Sequence, residues 1–253
     1  MTKLAIRRAV VTGGGSGVGA VIAQKLAAAG VQVVITGRRM EPLQETASLH
    51  PNIAPLQADV SDENSMVAMF AAARKLLSGI DLVIANAGMA QSAPVAKTGL
   101  DLWHDTLAVN LTGAFLTFRE GLAAMDRTAP GRLIAIASTA GLKGYPYVAA
   151  YCAAKHGVVG LVRAMAVELA KTPVTVNAIC PGFTETPMLA QSIENIVAKT
   201  GMSHDAARAS LSAANPQGRF IQPAEIADTV MWLCAENAGS VTGQAISVSG
   251  GEI

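Results

Sequence analysis

Ala9-Val10-Val11-Thr12-Gly13-Gly14-Gly15-Ser16-Gly17-Val18-Gly19-Ala20 is the stretch on which the fold turns. A run of apolar, mostly β-branched residues stops at a threonine and a glycine cluster follows. A stripe of helical period then begins with Val18, Val21, Ile22, Leu26 and Ala29. Strand, tight turn and helix open a βαβ unit. Glycines at that turn let the backbone approach a pyrophosphate at a helix amino end, where free N–H groups and the dipole favour an anion. A glycine cluster alone marks any turn; its place between a first strand and a first helix makes it a dinucleotide loop. The loop residues are Gly13, Gly15, Ser16, Gly17, Val18 and Gly19, spaced Gly-x-x-x-Gly-x-Gly. The commoner fingerprint is only approximated, by Gly15-x-Gly17-x-x-Ala20.

Outward from this unit the same alternation repeats. Strand-like runs fall at 9–12, 31–36, 53–57, 81–85, 133–137, 174–179 and 245–248, and a second helical stripe joins Met66, Met69, Phe70, Ala73 and Leu77. Nearly continuous apolar strands separated by amphipathic helices predict an α/β fold: a doubly wound, seven-stranded parallel sheet of Rossmann type with helices on both faces. No linker or repeat divides the chain, so residues 1–253 are read as a single dinucleotide-binding domain. The segment 183–222 carries no strand signal. It is either a surface helical excursion or a lid over the carboxyl edge of the sheet; Pro181-Gly182 launches it from a strand end, which favours the lid.

Composition narrows the function classes. With 51% apolar and 15% charged residues and a formal net charge of +1, the chain is globular and lacks the basic excess that nucleic acid or an anionic membrane would recruit. No run of eighteen apolar residues is present, and the apolar stretch near Lys3, Arg7 and Arg8 is too short for a signal peptide. Cys152, Cys180 and Cys234 have neither disulfide-framework nor metal spacing, and His50, His104, His156 and His204 have no ligand spacing. The expectation is a cytoplasmic protein with reduced cysteines and no metal.

At the end of the second strand an NAD-binding domain usually presents an acid to the ribose hydroxyls. Here the sequence is Thr36-Gly37-Arg38-Arg39. Two guanidiniums suit the 2′-phosphate of NADP(H). A merely solvated basic turn, with Glu41 supplying the acid, would leave NAD(H) as the cofactor.

A third stretch carries the chemistry. Ser138 ends an apolar strand, and Tyr151 and Lys155 follow four residues apart, a spacing that puts both on one helix face. An ammonium beside a phenol stabilises the phenolate, so Lys155 is expected to lower the pKa of Tyr151 and make it a proton donor or acceptor. Tyr145 and Tyr147 have no lysine four residues on and are read as loop residues near the substrate.

These motifs, in this order, resemble the short-chain dehydrogenase/reductase family, in the single-domain branch that includes 3-oxoacyl-carrier-protein reductases. The resemblance spans 8–251. It covers the glycine loop, Asp59-Val60 as the adenine-contacting pair, Asn86-Ala87-Gly88 after the fourth strand, Asn110, the Ser138/Tyr151/Lys155 group, and Pro181-Gly182 with Thr184 and Thr186 beyond. Ala85 stands where a first asparagine is frequent. The resemblance implies that Tyr151 exchanges a proton with the substrate oxygen while Ser138 hydrogen-bonds it. Lys155 would tune Tyr151 and hold the nicotinamide ribose, and Asn110 would link Lys155 to solvent through a water. Met89, Leu142, Tyr145 and Met188 are the expected pocket lining.

The activity implied is hydride transfer between NADP(H) and a ketone or secondary alcohol, foremost as a 3-oxoacyl thioester reductase. A catabolic dehydrogenase of 3-hydroxyacyl thioesters or other secondary alcohols is the alternative, and a non-catalytic nucleotide-binding sensor or scaffold a more distant one. Relatives assemble as tetramers, so a homotetramer is expected.

Overall fold

The computed structural model describes residues 3–253; Met1 and Thr2 of the expected chain-long domain lie outside the described residues. The strands are β1 Arg8–Thr12, β2 Gln32–Gly37, β3 Ile53–Gln57, β4 Leu82–Ala85, β5 Gly131–Ile136, β6 Val174–Pro181 and β7 Ala245–Val248. Between them run α1 Gly17–Ala28, α2 Met40–Ser48, α3 Glu63–Leu77, α4 Leu100–Leu107, α5 Gly113–Ala124, α6 Ala149–Glu168, α7 Pro187–Thr200, α8 His204–Ser212 and α9 Pro223–Leu233.

All seven strands form one parallel sheet in the order β3-β2-β1-β4-β5-β6-β7. The order reverses between β1 and β4, and the crevice outside their carboxyl ends is where open sheets of this kind bind ligands. Alternate side chains feed two cores, as the pleat requires. Val10, Val34, Val83, Leu133 and Val176 meet Phe70 of α3, Phe118 of α5 and Val158 of α6. Val11, Ile35, Ile84, Ile134 and Ile179 meet Leu26 of α1 and Val230 of α9. The α3 stripe is buried as expected; on α1 the buried face is Ile22, Ala23, Leu26 and Ala27, while Ala29 is exposed beyond the helix end.

Arg132 of β5 is 2% exposed and has no carboxylate partner among its contacts. Its guanidinium donates to the carbonyls of Leu233 (2.9 Å), Gly131 (2.9 Å) and Ala235 (3.2 Å). The first and last of these lie at the carboxyl end of α9, where unpaired carbonyls favour a cation.

The 183–222 segment holds α7 and α8, with a small core of its own: Leu189, Ile193, Ala207 and Phe220. Thr186 caps α7, accepting from Leu189 N at 3.3 Å, and Gly201 ends it in the left-handed region.

Candidate active site

The glycine loop is held from below by Thr12 and Asn86, the first of which the sequence did not single out as a site residue. Thr12 Oγ1 donates to Ile84 O (3.3 Å) and accepts from the amides of Asn86 (3.0 Å) and Ala87 (3.1 Å). It therefore locks the end of β1 to the turn after β4. A buried threonine at a strand end, whose hydroxyl must find partners, was the available signal. Asn86, expected to contact the cofactor, donates its side-chain amide to Thr12 O (2.8 Å) and Gly13 O (3.2 Å). These bonds brace the loop. A side chain at Gly19 would place its Cβ 2.4 Å from that amide, so the close approach demands glycine.

The amino end of α1 has no side-chain cap and no acid in its first turn. Its free N–H groups and positive dipole end are thus uncommitted, as an incoming pyrophosphate requires. Gly13, Gly15, Ser16, Gly17, Val18 and Gly19 surround that end. Thr186 closes the loop from the far side, its methyl 3.4 Å from where a Cβ of Gly17 would sit. Thr184 and Thr186 direct their hydroxyls at the backbone, to Gly182 O (2.9 Å) and Thr184 O (3.2 Å).

Arg38 and Arg39 are both exposed, and neither is in an ion pair among the described residues. Asp59 accepts from the Ser61 amide (2.9 Å) and hydroxyl (2.6 Å). Burial works to raise its pKa, but those bonds and the nearby Arg38 charge outweigh it and hold the carboxyl below its usual range. Val60 is buried and packs against Gly113, so its side chain belongs to the core rather than to a binding surface.

At the reacting end, β5 delivers Ser138, and the first turns of α6 deliver Tyr151 and Lys155. Here the structure corrects one expectation. Lys155 Nζ donates to Ile136 O at 2.9 Å and lies over the Tyr151 ring, 5.6 Å from its centroid, rather than at the phenol oxygen. Burial pushes the phenol up to about 12, with the Ser138 hydroxyl working downward, and pushes the ammonium down to about 8. Tyr151 is therefore protonated at neutral pH and fit to donate.

Asn110 is 1% exposed, on a single π-helical turn Ala108–Thr112 between α4 and α5. Such turns often occur at functional sites. Its Nδ2 donates to Met89 O and Thr106 O, both at 2.9 Å, and its Oδ1 accepts from Met89 N at 3.2 Å. A Cβ on Gly88 would lie 2.9 Å from Asn110 Oδ1 and 3.9 Å from Lys155 Nζ, so Gly88 stands between the two groups. Cys180, behind Lys155 on β6, is buried, and burial pushes its thiol up to about 11.

Of the expected lining, Met89 and Leu142 are half-buried and Met188 is exposed at the start of α7. Tyr145 is half-buried, but its hydroxyl is committed elsewhere: it donates to Glu252 Oε1 and lies 2.7 Å from Thr139 Oγ1. Burial and the Glu252 carboxylate raise its pKa well above the ordinary tyrosine value. Only its ring faces Phe183, edge-on at 6.0 Å.

The sequence pattern of the family described as short chain dehydrogenase matches residues 7–196. This chain belongs to that family. It is 38% identical to a protein described as a granaticin polyketide synthase ketoacyl reductase from Streptomyces violaceoruber, over 96% of this chain and 92% of the relative. It is 35% identical to a 3-oxoacyl-acyl-carrier-protein reductase of Aquifex aeolicus, covering 98% of both chains. A crystal structure of an actinorhodin polyketide ketoreductase variant with NADPH superimposes with a TM-score of 0.94 at 36% identity, covering 100% of this chain and 99% of that one. As a short chain dehydrogenase this chain is an oxidoreductase acting between hydroxyl and keto groups, and the seven-stranded parallel sheet is the fold of its solved relatives.

Proposed function

We propose that this chain is an NADPH-dependent ketone reductase whose substrate is a 3-oxoacyl thioester. The observation that carries the reading is the convergence of a protonated Tyr151 phenol, the Ser138 hydroxyl and the Lys155 ammonium at the carboxyl end of β5. The relatives named for ketoacyl and 3-oxoacyl reduction support the substrate class. The uncommitted Arg38 and Arg39, beside a glycine loop open to a pyrophosphate, support the choice of NADPH. When bound, the dinucleotide supplies the hydride.

The chain's own residues do the rest. Tyr151 donates its proton to the carbonyl oxygen, and Ser138 hydrogen-bonds that oxygen as negative charge develops on it. Lys155, charged below about pH 8, is held over the Tyr151 ring by its bond to Ile136 O and places a positive charge beside the reacting groups. Asn110 fixes the Met89 backbone beside them and holds the π-helical turn through which the site connects to water. The segment 183–222 acts as the lid. A homotetramer is part of the same reading, supported by the exposed Phe115 of α5, Val167 of α6 and Trp232 of α9, as is a cytoplasmic location, supported by three free cysteines.

The test follows NADPH absorbance with purified protein against 3-oxoacyl thioesters and simple cyclic ketones, with NADH in parallel. The expected result is NADPH-dependent loss with the thioesters, abolished in Tyr151→Phe while NADPH binding persists. Turnover confined to NAD and a 3-hydroxyacyl substrate would replace the reading with the oxidative one, in line with the chain's 32% identity to a D-beta-hydroxybutyrate dehydrogenase of Rhizobium meliloti over 97% of this chain and 98% of the relative.

A further inference from the structure

After β7 the chain folds back toward the cleft. Gly250 and Gly251 are both left-handed, at φ of 65° and 92°. A Cβ on Gly250 would fall 2.0 Å from Asn215 Oδ1 at the base of the lid, so only glycine passes there. The turn aims Glu252 inward, and its side chain is 2% exposed. A buried carboxylate has to be paired, and its partners come from the loop that follows β5. Oε1 accepts from the Tyr145 hydroxyl and lies 2.9 Å from Lys143 Nζ, while Oε2 lies 3.1 Å from the Cβ position of Gly182 at the end of β6. Tyr145 in turn bonds Thr139, the neighbour of Ser138, and Lys143 Nζ stands 5.0 Å over the Tyr145 ring. A continuous set of polar contacts thus joins the segment after β7 to the peptide that presents Ser138. It also neutralises the one cation of the 138–147 loop.

We propose that Glu252 is a positioning and specificity-determining residue for ketone reduction. By holding Tyr145 and Lys143 it fixes where Ser138 meets the substrate oxygen, and by neutralising Lys143 it keeps the cleft wall suited to an uncharged acyl chain. This rests on the reading of the chain as a ketone reductase. In this role Glu252 acts through the loop that carries Lys143 and Tyr145.

Four variants and one physical measurement test it. E252A removes the whole clamp, and a small displacement of Ser138 is expected to lower kcat by about ten- to a hundredfold while the Kd for NADPH stays within about twofold. Y145F removes the link between carboxylate and Thr139. If both act through one chain of contacts, the E252A/Y145F double variant falls no further than E252A alone. E252Q still accepts from Tyr145 but frees the Lys143 charge. It is expected to keep kcat near wild type on an ethyl 3-oxoacyl ester while raising kcat/KM for the corresponding free 3-oxo acid about fivefold, the half-exposed ammonium being partly screened. Wild-type kcat in E252A, multiplicative losses in the double variant, or no change in acid-to-ester preference in E252Q would overturn the proposal while leaving the reductase reading intact. Should wild-type protein reduce no ketone, that reading fails instead. Amide exchange then decides the positioning role: residues 139–147 exchange about tenfold faster in E252A with β5 and β6 unchanged, or the clamp does not exist.

Discussion

Burial acts on the two groups of the Tyr151–Lys155 pair in opposite directions, pushing the phenol up to about 12 and the ammonium down to about 8. The folded chain gives up the Lys155 proton near pH 8, the unfolded chain near 10.5. Between those values the unfolded state binds more protons, so stability from this group rises with pH across the window, by on the order of 3 kcal/mol in full. Tyr151 works the other way above pH 10, where the unfolded phenol ionises first. Urea unfolding at a series of pH values should therefore show wild type gaining stability above pH 8. Lys155→Met should be the more stable protein at neutral pH, catalytically dead, and flat across the window; parallel curves for the two would refute the assignment. Arg38 bears on cofactor choice instead. One charge-assisted bond to a 2′-phosphate, discounted for exposure, is worth about 1.5 kcal/mol, so Arg38→Ala should weaken NADPH binding about tenfold and NADH binding hardly at all. Calorimetric titration with both dinucleotides checks it, and equal losses would remove Arg38 from phosphate recognition.

Thr12 shows how one hydroxyl holds two elements in register. It receives two amides from the turn after β4 while standing at the end of β1. Thr12→Val keeps the shape and leaves both half-buried N–H groups without their partner, at a cost of about 2 kcal/mol. The expected loss is about 4–8 °C in Tm, together with weaker dinucleotide binding, because the glycine loop rests on that turn. A scanning calorimetry trace matching wild type would show that water satisfies the two amides. The strands themselves were legible in the sequence because their runs are mostly apolar, although β5 starts two residues before the apolar run at 133, with Gly131 and the buried Arg132. The glycine loop and the Tyr151–Lys155 spacing were legible because they are local. What escaped were contacts set by tertiary neighbours. Nothing in the sequence distinguishes a lysine aimed at a phenol oxygen from one aimed at Ile136 O, or shows that the Asn86 amide braces the glycine loop. Glu252 carried no signal at all, since its partners lie 107 and 109 residues away (Tyr145 and Lys143, by subtraction from 252).

At the scale of the whole molecule, the two sheet cores and the small α7–α8 core are separate clusters. The segment 183–222 is closed on itself at its base by the Thr184–Ile221 bridge, and is joined to the rest by Ile221 in the α1–α9 core, by Asn215 against the turn after β7, and by Lys199, whose Nζ donates to Ser92 O at 3.0 Å. Units with few buried contacts to their surroundings open at lower free energy than the fold as a whole. The proposed lid should therefore be the first part of the chain that trypsin reaches, with initial cuts at Lys199 and Arg208 and later cuts in α1 to α6. Bound ligand that contacts the lid stabilises the closed form by about 2.7 kcal/mol at a hundredfold excess over Kd, which slows cleavage about a hundredfold when opening and closing are fast. Saturating NADPH should give that protection, and Lys199→Ala, lacking both the tether and its own cleavage site, should be cut faster than wild type at Arg208 in its absence. Mass spectrometry of the early fragments decides the matter. First cuts within the sheet region, or cleavage at Lys199 and Arg208 indifferent to NADPH, would make 183–222 a surface excursion with no part in closing the site.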